Sequence, residues 1–337
     1  MRTAIRAAAA VGLFFLFSVP ASRAGREFDI TPAIRAFPVL SPEQARQLRK
    51  RWELLKRGDY INKQGLIVAP SFFFTREGES EIRAIYPKLK DFFGEFGEVV
   101  TIGRSPTPFL AYAWGAVAGA GSGEPAWRDI PFSYGTSAPM SAPLREKLRA
   151  HLERHGLHPG ALMRRAKPVL FVDFVYSGHG ALTLLGELDA WARELRIPGL
   201  APKIGFLGLY PAELIARARY RSLQHEMLKE LGSSMRPFDE KTILEAAARM
   251  SLPREGEFKK LCSKVIGHRI SDRLYAYAGT HAPQANQSFT PENWGIAREV
   301  NPSGGLMGFE QTALSELYYL YLLGKRDWSC AGKLRSR

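Results

Sequence analysis

The chain has 337 residues, of which 45% are hydrophobic, so it carries enough apolar material for a sizeable buried core. With this composition the chain is expected to fold on its own. The formal net charge is +14 at pH 7, which favours anionic partners without choosing among phosphates, nucleic acid and a membrane surface.

The first 24 residues predict an export signal. Arg2 and Arg6 precede an apolar run at residues 7–19, and small residues up to Ala24 offer cleavage positions. We therefore expect an exported, periplasmic or secreted protein that is cleaved near Ala24. The alternative is a protein that stays anchored in the membrane by residues 7–19, although this run is short for a bilayer span.

The next segment, residues 25–97, is predicted to mix helix and strand. Residues 28–39 contain two prolines and are expected to be irregular. Ser41 followed by Pro42 indicates the start of a helix that runs to about residue 56. A strand is predicted near residues 66–74, and apolar residues at helical spacing predict a packing helix at 79–93.

A strand predicted at residues 98–102 leads into the first informative loop, residues 103–108, which reads Gly-Arg-Ser-Pro-Thr-Pro. An apolar helix is expected from Phe109 to Val117. A short strand at 130–134 and a basic helix at 142–155 follow. The loop combines a glycine, an arginine and hydroxyl groups, which is typical of a site for an anion.

The second informative loop follows the most apolar strand of the chain, predicted at residues 168–175. Asp173 stands where this strand ends, and Ser177-Gly178-His179-Gly180 leads into a helix at 181–193. Ligands of open α/β sheets bind outside the carboxyl ends of the strands. Backbone N–H groups at a helix N-terminus also favour anions, so this loop predicts a second part of the same kind of site.

The rest of the chain predicts one more strand and then mostly helix. The strand is expected at 203–209, and helices at 211–231, 238–250, 255–265 and 310–323, before a basic tail. Residues 279–308 are rich in Pro, Asn and Gly and are interpreted as a functional loop or lid. Cys262 and Cys330 fit either one disulfide or two buried thiols.

The two loops together resemble those of the type I phosphoribosyltransferases. In that family four apolar residues precede two acidic ones, two apolar residues follow, and a short Thr/Ser/Gly loop leads into a helix. The sequence VLFVDFVYSGHGAL, residues 169–182, follows most of that order. The resemblance covers residues 98–196 and implies an α/β fold with a mainly parallel sheet and helices on both faces. The helices predicted after residue 210 add an α-rich C-terminal part.

The sequence pattern and the resemblance together predict four segments: a signal peptide at 1–24, an N-terminal α/β segment at 25–97, a phosphoribosyltransferase-like core at 98–235, and a helical C-terminal part with a long loop at 236–337. The family also implies Mg²⁺ as a cofactor. Nucleic acid is not indicated, because the cluster Arg217, Arg219 and Arg221 stands without a recognisable binding fold. The oligomeric state stays open.

The resemblance also implies roles for individual residues. Asp173 would bind ribose hydroxyls. As a lone histidine in a glycine loop, His179 is interpreted as a phosphate or backbone donor, with a general base as the alternative role. The remaining residues would contact the phosphates. The pyrophosphate loop would be Gly103, Arg104, Ser105 and Thr107, and the cradle of the ribose 5-phosphate would be Ser177, Gly178, His179, Gly180 and Ala181.

Two hypotheses for function follow. The first is a phosphoribosyltransferase-like protein that binds a phosphorylated ribose or nucleotide, and the loop with Arg104 supports it. The second is an inactive binding or interaction protein with the same fold, supported by the export signal and by Phe174, which takes the family's second acidic position. Both require Arg104 and Asp173 to project from neighbouring strand tips into one anion pocket.

Overall fold

The computed structural model describes residues 27–29, 31–57, 60–61, 67–68, 72–103, 105–121, 126–134, 139–231, 238–281, 297–299 and 309–334. The predicted signal at 1–24 lies outside them, as do most of the predicted loop at 279–308 and Arg104. Within the described ranges, no helix combines the length and the apolar character that a membrane span requires.

In the central sheet, at least one helix separates each strand from the next along the chain. The strands are β1 (Glu27–Asp29), β2 (Tyr60–Ile61), β3 (Ile67–Val68), β4 (Glu98–Ile102), β5 (Ala126–Ile130), β6 (Val169–Phe174), β7 (Ile204–Tyr210), β8 (Lys264–Arg269) and β9 (Ala297–Glu299). The helices are α1 (Thr31–Ala36), α2 (Pro42–Arg57), α3 (Arg76–Phe93), α4 (Thr107–Ala120), α5 (Ala142–Arg154), α6 (Pro159–Arg164), α7 (His179–Glu194), α8 (Ala212–Leu231), α9 (Glu240–Arg249), α10 (Glu255–Leu261), α11 (Asp272–His281) and α12 (Phe309–Leu334).

The central sheet has five parallel strands in the order β5-β4-β6-β7-β8. This confirms the predicted α/β class and its α-rich C-terminal part. The chain passes from β4 outward to β5 and then returns to the other side of β4 to form β6. The strand order therefore reverses between β4 and β6, and in open sheets the crevice at such a switch point is where ligands bind.

The sheet is covered on both faces, because successive strand residues point to opposite sides. Val99, Leu170 and Leu207 belong to a core shared with α3, α4 and α12. Their neighbours Val100, Phe171 and Phe206 belong to a second core shared with α5 and α7. This double burial explains why β6 and β7 read as continuous apolar runs.

The last helix extends further than the sequence predicted. A basic tail was expected beyond the helix at 310–323, but α12 continues to Leu334. The extension is stabilised by contacts with earlier helices: Asp327 accepts hydrogen bonds from Arg83 Nε at 2.7 Å and from the Tyr112 hydroxyl at 3.1 Å. The Trp328 ring packs edge-on against Tyr86.

The prediction that residues 66–74 form a strand of the central sheet is wrong. Among the residues described in this range, 67–68 and 72–74, only β3 is extended, and it pairs antiparallel with β2. Phe72 and Phe73 form a 3₁₀ turn and pack against Tyr277 instead. Thr75 then caps α3, because its hydroxyl oxygen accepts the Gly78 N–H at 3.1 Å.

Three other predicted elements are corrected. Residues 28–39 are not irregular, since α1 and a 3₁₀ turn occupy 31–39. The short strand expected at 130–134 lies earlier, as β5. The helix expected at 255–265 ends at Leu261, and the β-branched pair Val265-Ile266 joins β8, which pairs along β7.

Cys262 is a free, buried thiol. Of the two alternatives that the sequence left open for this residue, a disulfide or a buried thiol, the structure has the thiol. Burial raises the pKa of this thiol to about 12. The side chain of Cys330 lies outside the described part of the chain.

A buried histidine predicts how stability depends on pH. His151 contacts the carbonyl oxygen of Pro131 through Nε2 at 2.7 Å. Burial lowers its pKa to about 3, and His155 adds to the shift. In the unfolded chain the imidazole has its ordinary pKa of 6.5, so the unfolded state binds an extra proton below that pH. The stability that the neutral, buried His151 contributes is therefore fully present above pH 6.5, and it is lost as the pH falls toward 3.

We expect the free energy of unfolding to fall by about 2 kcal/mol more in the wild type than in His151→Gln between pH 6.5 and pH 5. Urea unfolding at both pH values measures this difference. Burial also lowers the pKa of His268, to about 4, but His268 is present in both proteins and cancels. Parallel pH dependences would contradict the prediction.

Candidate functional site

A cavity of about 250 Å³ opens at the carboxyl ends of β4, β5 and β6, at the switch point of the sheet. Its walls come from the loops after these three strands, from the start of α7 and from α11. The cavity therefore lies where the fold predicts a ligand.

The first wall is the turn after β4. Gly103 has a positive φ of 69°, and its N–H donates to the carbonyl oxygen of Ile130 at 2.8 Å. A Cβ at this position would stand 3.1 Å from the carbonyl oxygen of Phe132, so glycine is required both for the turn and for the close approach. The turn brings Gly103 and Ser105 beside Ser133 and Tyr134, which follow β5.

The second wall carries the carboxyl group of Asp173. Its Oδ1 accepts the N–H of Phe174 at 2.7 Å, and among the described residues it has no ion-pair partner. Burial raises the pKa of Asp173 well above its ordinary value, and the hydrogen bond from Phe174 acts in the opposite direction. A carboxyl group in this setting is suited to bind hydroxyl groups of a ligand, which compensate its lost hydration.

The third wall is the glycine loop at the start of α7. Gly178 precedes the helix with a φ of 75°, and a Cβ there would lie 3.2 Å from the ring of Phe258. The backbone N–H of His179 points to the Ser177 hydroxyl oxygen at 3.4 Å. Because α7 is 16 residues long and has no acidic residue in its first turn, its N-terminus presents partial positive charge to the cavity.

The fourth wall is aromatic. The Phe174 ring stacks on Tyr275 of α11 at 6.3 Å with 19° between the planes, and Tyr176 lies 6.0 Å from the same tyrosine. Phe174 also contacts Phe109 at 5.6 Å. Phe174, which stands where the resemblance implies a second acidic residue, is thus part of an aromatic cluster. Burial raises the pKa of Tyr275 to about 12, and Asp173 and Tyr176 add to this.

Two carboxylates hold α11, and with it Tyr275, in place. Glu81 of α3 accepts hydrogen bonds from the backbone N–H of Ser271 at 2.5 Å and from its hydroxyl at 2.6 Å. Asp272 accepts the N–H of Leu214 at the start of α8 at 2.9 Å. The aromatic wall is therefore fixed by the elements on either side.

Most of the site residues predicted from the sequence line this one cavity. They are Gly103, Ser105, Asp173, Ser177, Gly178, His179 and Gly180. Thr107 and Ala181 do not line it: both are buried in the first turns of α4 and α7. Arg104 lies outside the described residues, so the predicted pairing of Arg104 with Asp173 stays a prediction.

Sequence reasoning missed half of the residues that line the cavity, among them Ser133, Tyr134 and Tyr275. Ser133 and Tyr134 could have been found as polar residues after a strand, had β5 been placed at its true end. Tyr275 gave no signal, because its position in the wall depends on how α11 packs.

The described residues do not build a metal site of their own. They contain no group of three or more His, Cys, Asp or Glu side chains that could hold a metal ion. Asp173 is the one carboxyl group among the described residues that line the cavity. Mg²⁺ is commonly bound through one or two carboxylates together with substrate phosphates. The residues of the cavity therefore fit Mg²⁺ only as an ion that is also coordinated by the phosphates of a bound ligand.

Comparison with known proteins does not extend this description: the chain matches no family model, and no curated protein or solved structure matches it significantly.

Proposed function

We propose that the cavity at the ends of β4 and β6 binds a phosphorylated ribose or a nucleotide. The observation that carries the proposal is the meeting of two glycine-containing loops, at Gly103 and at Gly178, in one cavity at the switch point of a parallel sheet. In this proposal the phosphate is bound by the N–H groups at the start of α7, and Asp173 binds ribose hydroxyls.

The size and polarity of the cavity support a small ligand. Its volume of about 250 Å³ lies below the range of about 300–1,000 Å³ that is usual for drug-sized molecules. Hydroxyl groups of Ser105, Ser133 and Ser177 stand beside the aromatic wall. A sugar phosphate uses both kinds of surface, because its hydroxyls donate to polar groups and its ring packs on apolar ones.

Two functions remain within this proposal. An active protein would transfer the ribosyl group from its diphosphate to an acceptor, with release of pyrophosphate. A binding protein would hold the phosphorylated ligand without turnover. The packing of Phe174 between Phe109 and Tyr275 favours the second, because it removes one of the two carboxyl groups that the resemblance implies.

The test is calorimetric titration of the chain with ribose 5-phosphate, a nucleoside monophosphate and phosphoribosyl diphosphate, each with and without Mg²⁺. We expect saturable binding that Asp173→Asn weakens by about tenfold, as for the loss of one hydrogen bond to the ligand. The matched control is Asp189→Asn on α7, whose carboxylate pairs with Arg193 on the helix surface.

Release of pyrophosphate from phosphoribosyl diphosphate, with water in the place of the acceptor, distinguishes the two functions, since a binding protein would leave the diphosphate intact. Equal affinities of the wild type and Asp173→Asn would contradict the assigned role of Asp173. The absence of binding for all three ligands would contradict the proposal itself.

A further inference from the structure

A second cavity lies between α8, α9 and the start of α10, and it shares no lining residue with the switch-point site. Its volume is about 570 Å³, which is within the range usual for small-molecule sites. On α8 the lining residues Ala216, Arg219, Tyr220 and Leu223 recur at the spacing of one helical face. We call this cavity the groove. It therefore extends along about two turns of α8.

The floor of the groove is apolar and rigid. Leu252 and Pro253 are buried beneath it. The turn that carries them is held at the carbonyl oxygen of Met250, which accepts hydrogen bonds from the Tyr210 hydroxyl and from Arg269 Nη2, each at 3.0 Å. The groove is thus preformed, so a ligand would not have to order it.

The rim of the groove carries an excess of positive charge. Three arginines and one glutamate line it. Arg254 is paired with Glu257, and Glu255 with Lys259. Arg219 of α8 and Arg249 of α9 both line the groove, and neither has a hydrogen-bond or ion-pair partner among the described residues.

An apolar residue at the rim is also left uncovered. Leu223 is 47% exposed, although it continues the same face of α8 as the buried Ala216. The groove therefore offers an apolar surface with two unpaired guanidinium groups at its edge. Guanidinium groups bind carboxylate and phosphate oxygens with two parallel hydrogen bonds.

We propose that this groove binds a small amphipathic anion, with one carboxylate or phosphate head between Arg219 and Arg249 and an apolar body along Leu223 and Leu252. A nucleic acid is disfavoured, because it needs a series of phosphate contacts along an extended surface, whereas the groove covers about two helical turns. This inference is independent of the switch-point site.

The experiment is titration of the purified chain with dodecyl phosphate, below the concentration at which it forms micelles. We expect saturable binding with one equivalent, which inorganic phosphate and dodecanol fail to match by at least tenfold, because each offers only half of the interaction. The double variant Arg219→Gln, Arg249→Gln should weaken binding by at least tenfold.

Matched controls lie on the same helix. Arg221 and Leu228 are exposed residues of α8 that do not line the groove. Arg221→Gln should leave the affinity unchanged, and Leu223→Asn should weaken binding while Leu228→Asn does not. Equal losses for groove and control variants, or equally tight binding of dodecanol, would overturn the proposal. Binding only to anionic phospholipid vesicles, or only to an acidic peptide or a nucleic acid, would overturn it as well.

Discussion

Replacing Gly115 with alanine is expected to lower the free energy of unfolding by about 3 kcal/mol or more, one of the largest effects of a single methyl group in this chain. A Cβ at Gly115 of α4 would stand 1.8 Å from the backbone carbonyl oxygen of Tyr321 in α12. A Cβ at Gly324 of α12 would stand 2.1 Å from the carbonyl oxygen of Tyr112. The two helices touch backbone to backbone, so neither substitution can be relieved by a side-chain rotation.

Gly186→Ala on α7 is the matched control. It is also a helical glycine, but a Cβ there meets no atom within 4 Å. Alanine should stabilise the protein at that position by about 0.5–1 kcal/mol, because it reduces the backbone freedom of the unfolded chain. Urea unfolding of the wild type, Gly115→Ala and Gly186→Ala measures the change in the free energy of unfolding, which should be a loss at Gly115 and a gain at Gly186. A Gly115→Ala variant as stable as the wild type would show that α4 and α12 are not packed this closely.

Replacing Glu98 with glutamine is expected to cost about 3 kcal/mol of stability. Glu98 is buried at the start of β4, where it accepts a hydrogen bond from Arg128 Nε at 2.7 Å and pairs with Arg165. Burial lowers the pKa of Arg165, and Glu98 acts in the opposite direction. Removing the carboxylate leaves two partly buried guanidinium groups without their counter-charge, which costs more than the pair contributes.

Glu95→Gln provides the comparison, because Glu95 pairs with Lys264 at an exposed position. Exposed pairs contribute about 0–1 kcal/mol, so this variant should remain within 1 kcal/mol of the wild type. Urea unfolding again provides the measurement. Equal stabilities of the two variants would mean that the Glu98 network contributes no more than a surface pair.

The Glu98 network and the switch-point cavity lie at opposite edges of the sheet. Glu98 is the first residue of β4, whereas Gly103 comes directly after the last residue of this strand. Under conditions where it is folded, Glu98→Gln should therefore bind the same ligands as the wild type. The amino edge of the sheet contributes to stability, and the carboxyl edge carries the candidate site.

Local pattern was enough to predict the elements that are buried on both faces. The runs at Val169–Val172 and Ile204–Leu207 predict strands because each of their apolar side chains packs in one core or the other. The same reasoning failed at β8, an edge strand with partly exposed residues, where the choice between helix and strand depends on pairing with β7. It also failed at β3 and at the extension of α12, whose contacts come from distant segments.

By itself the sequence determined that two strands run into glycine-containing loops and then into helices, since glycine and the apolar runs act on the backbone locally. Only the tertiary structure decided that these loops meet, because adjacency in a sheet is set by long-range pairing, here of β4 with β6. The same long-range packing brought Tyr134 and Tyr275 into the cavity, and it made the groove between α8 and α9 from residues that are unremarkable in the sequence.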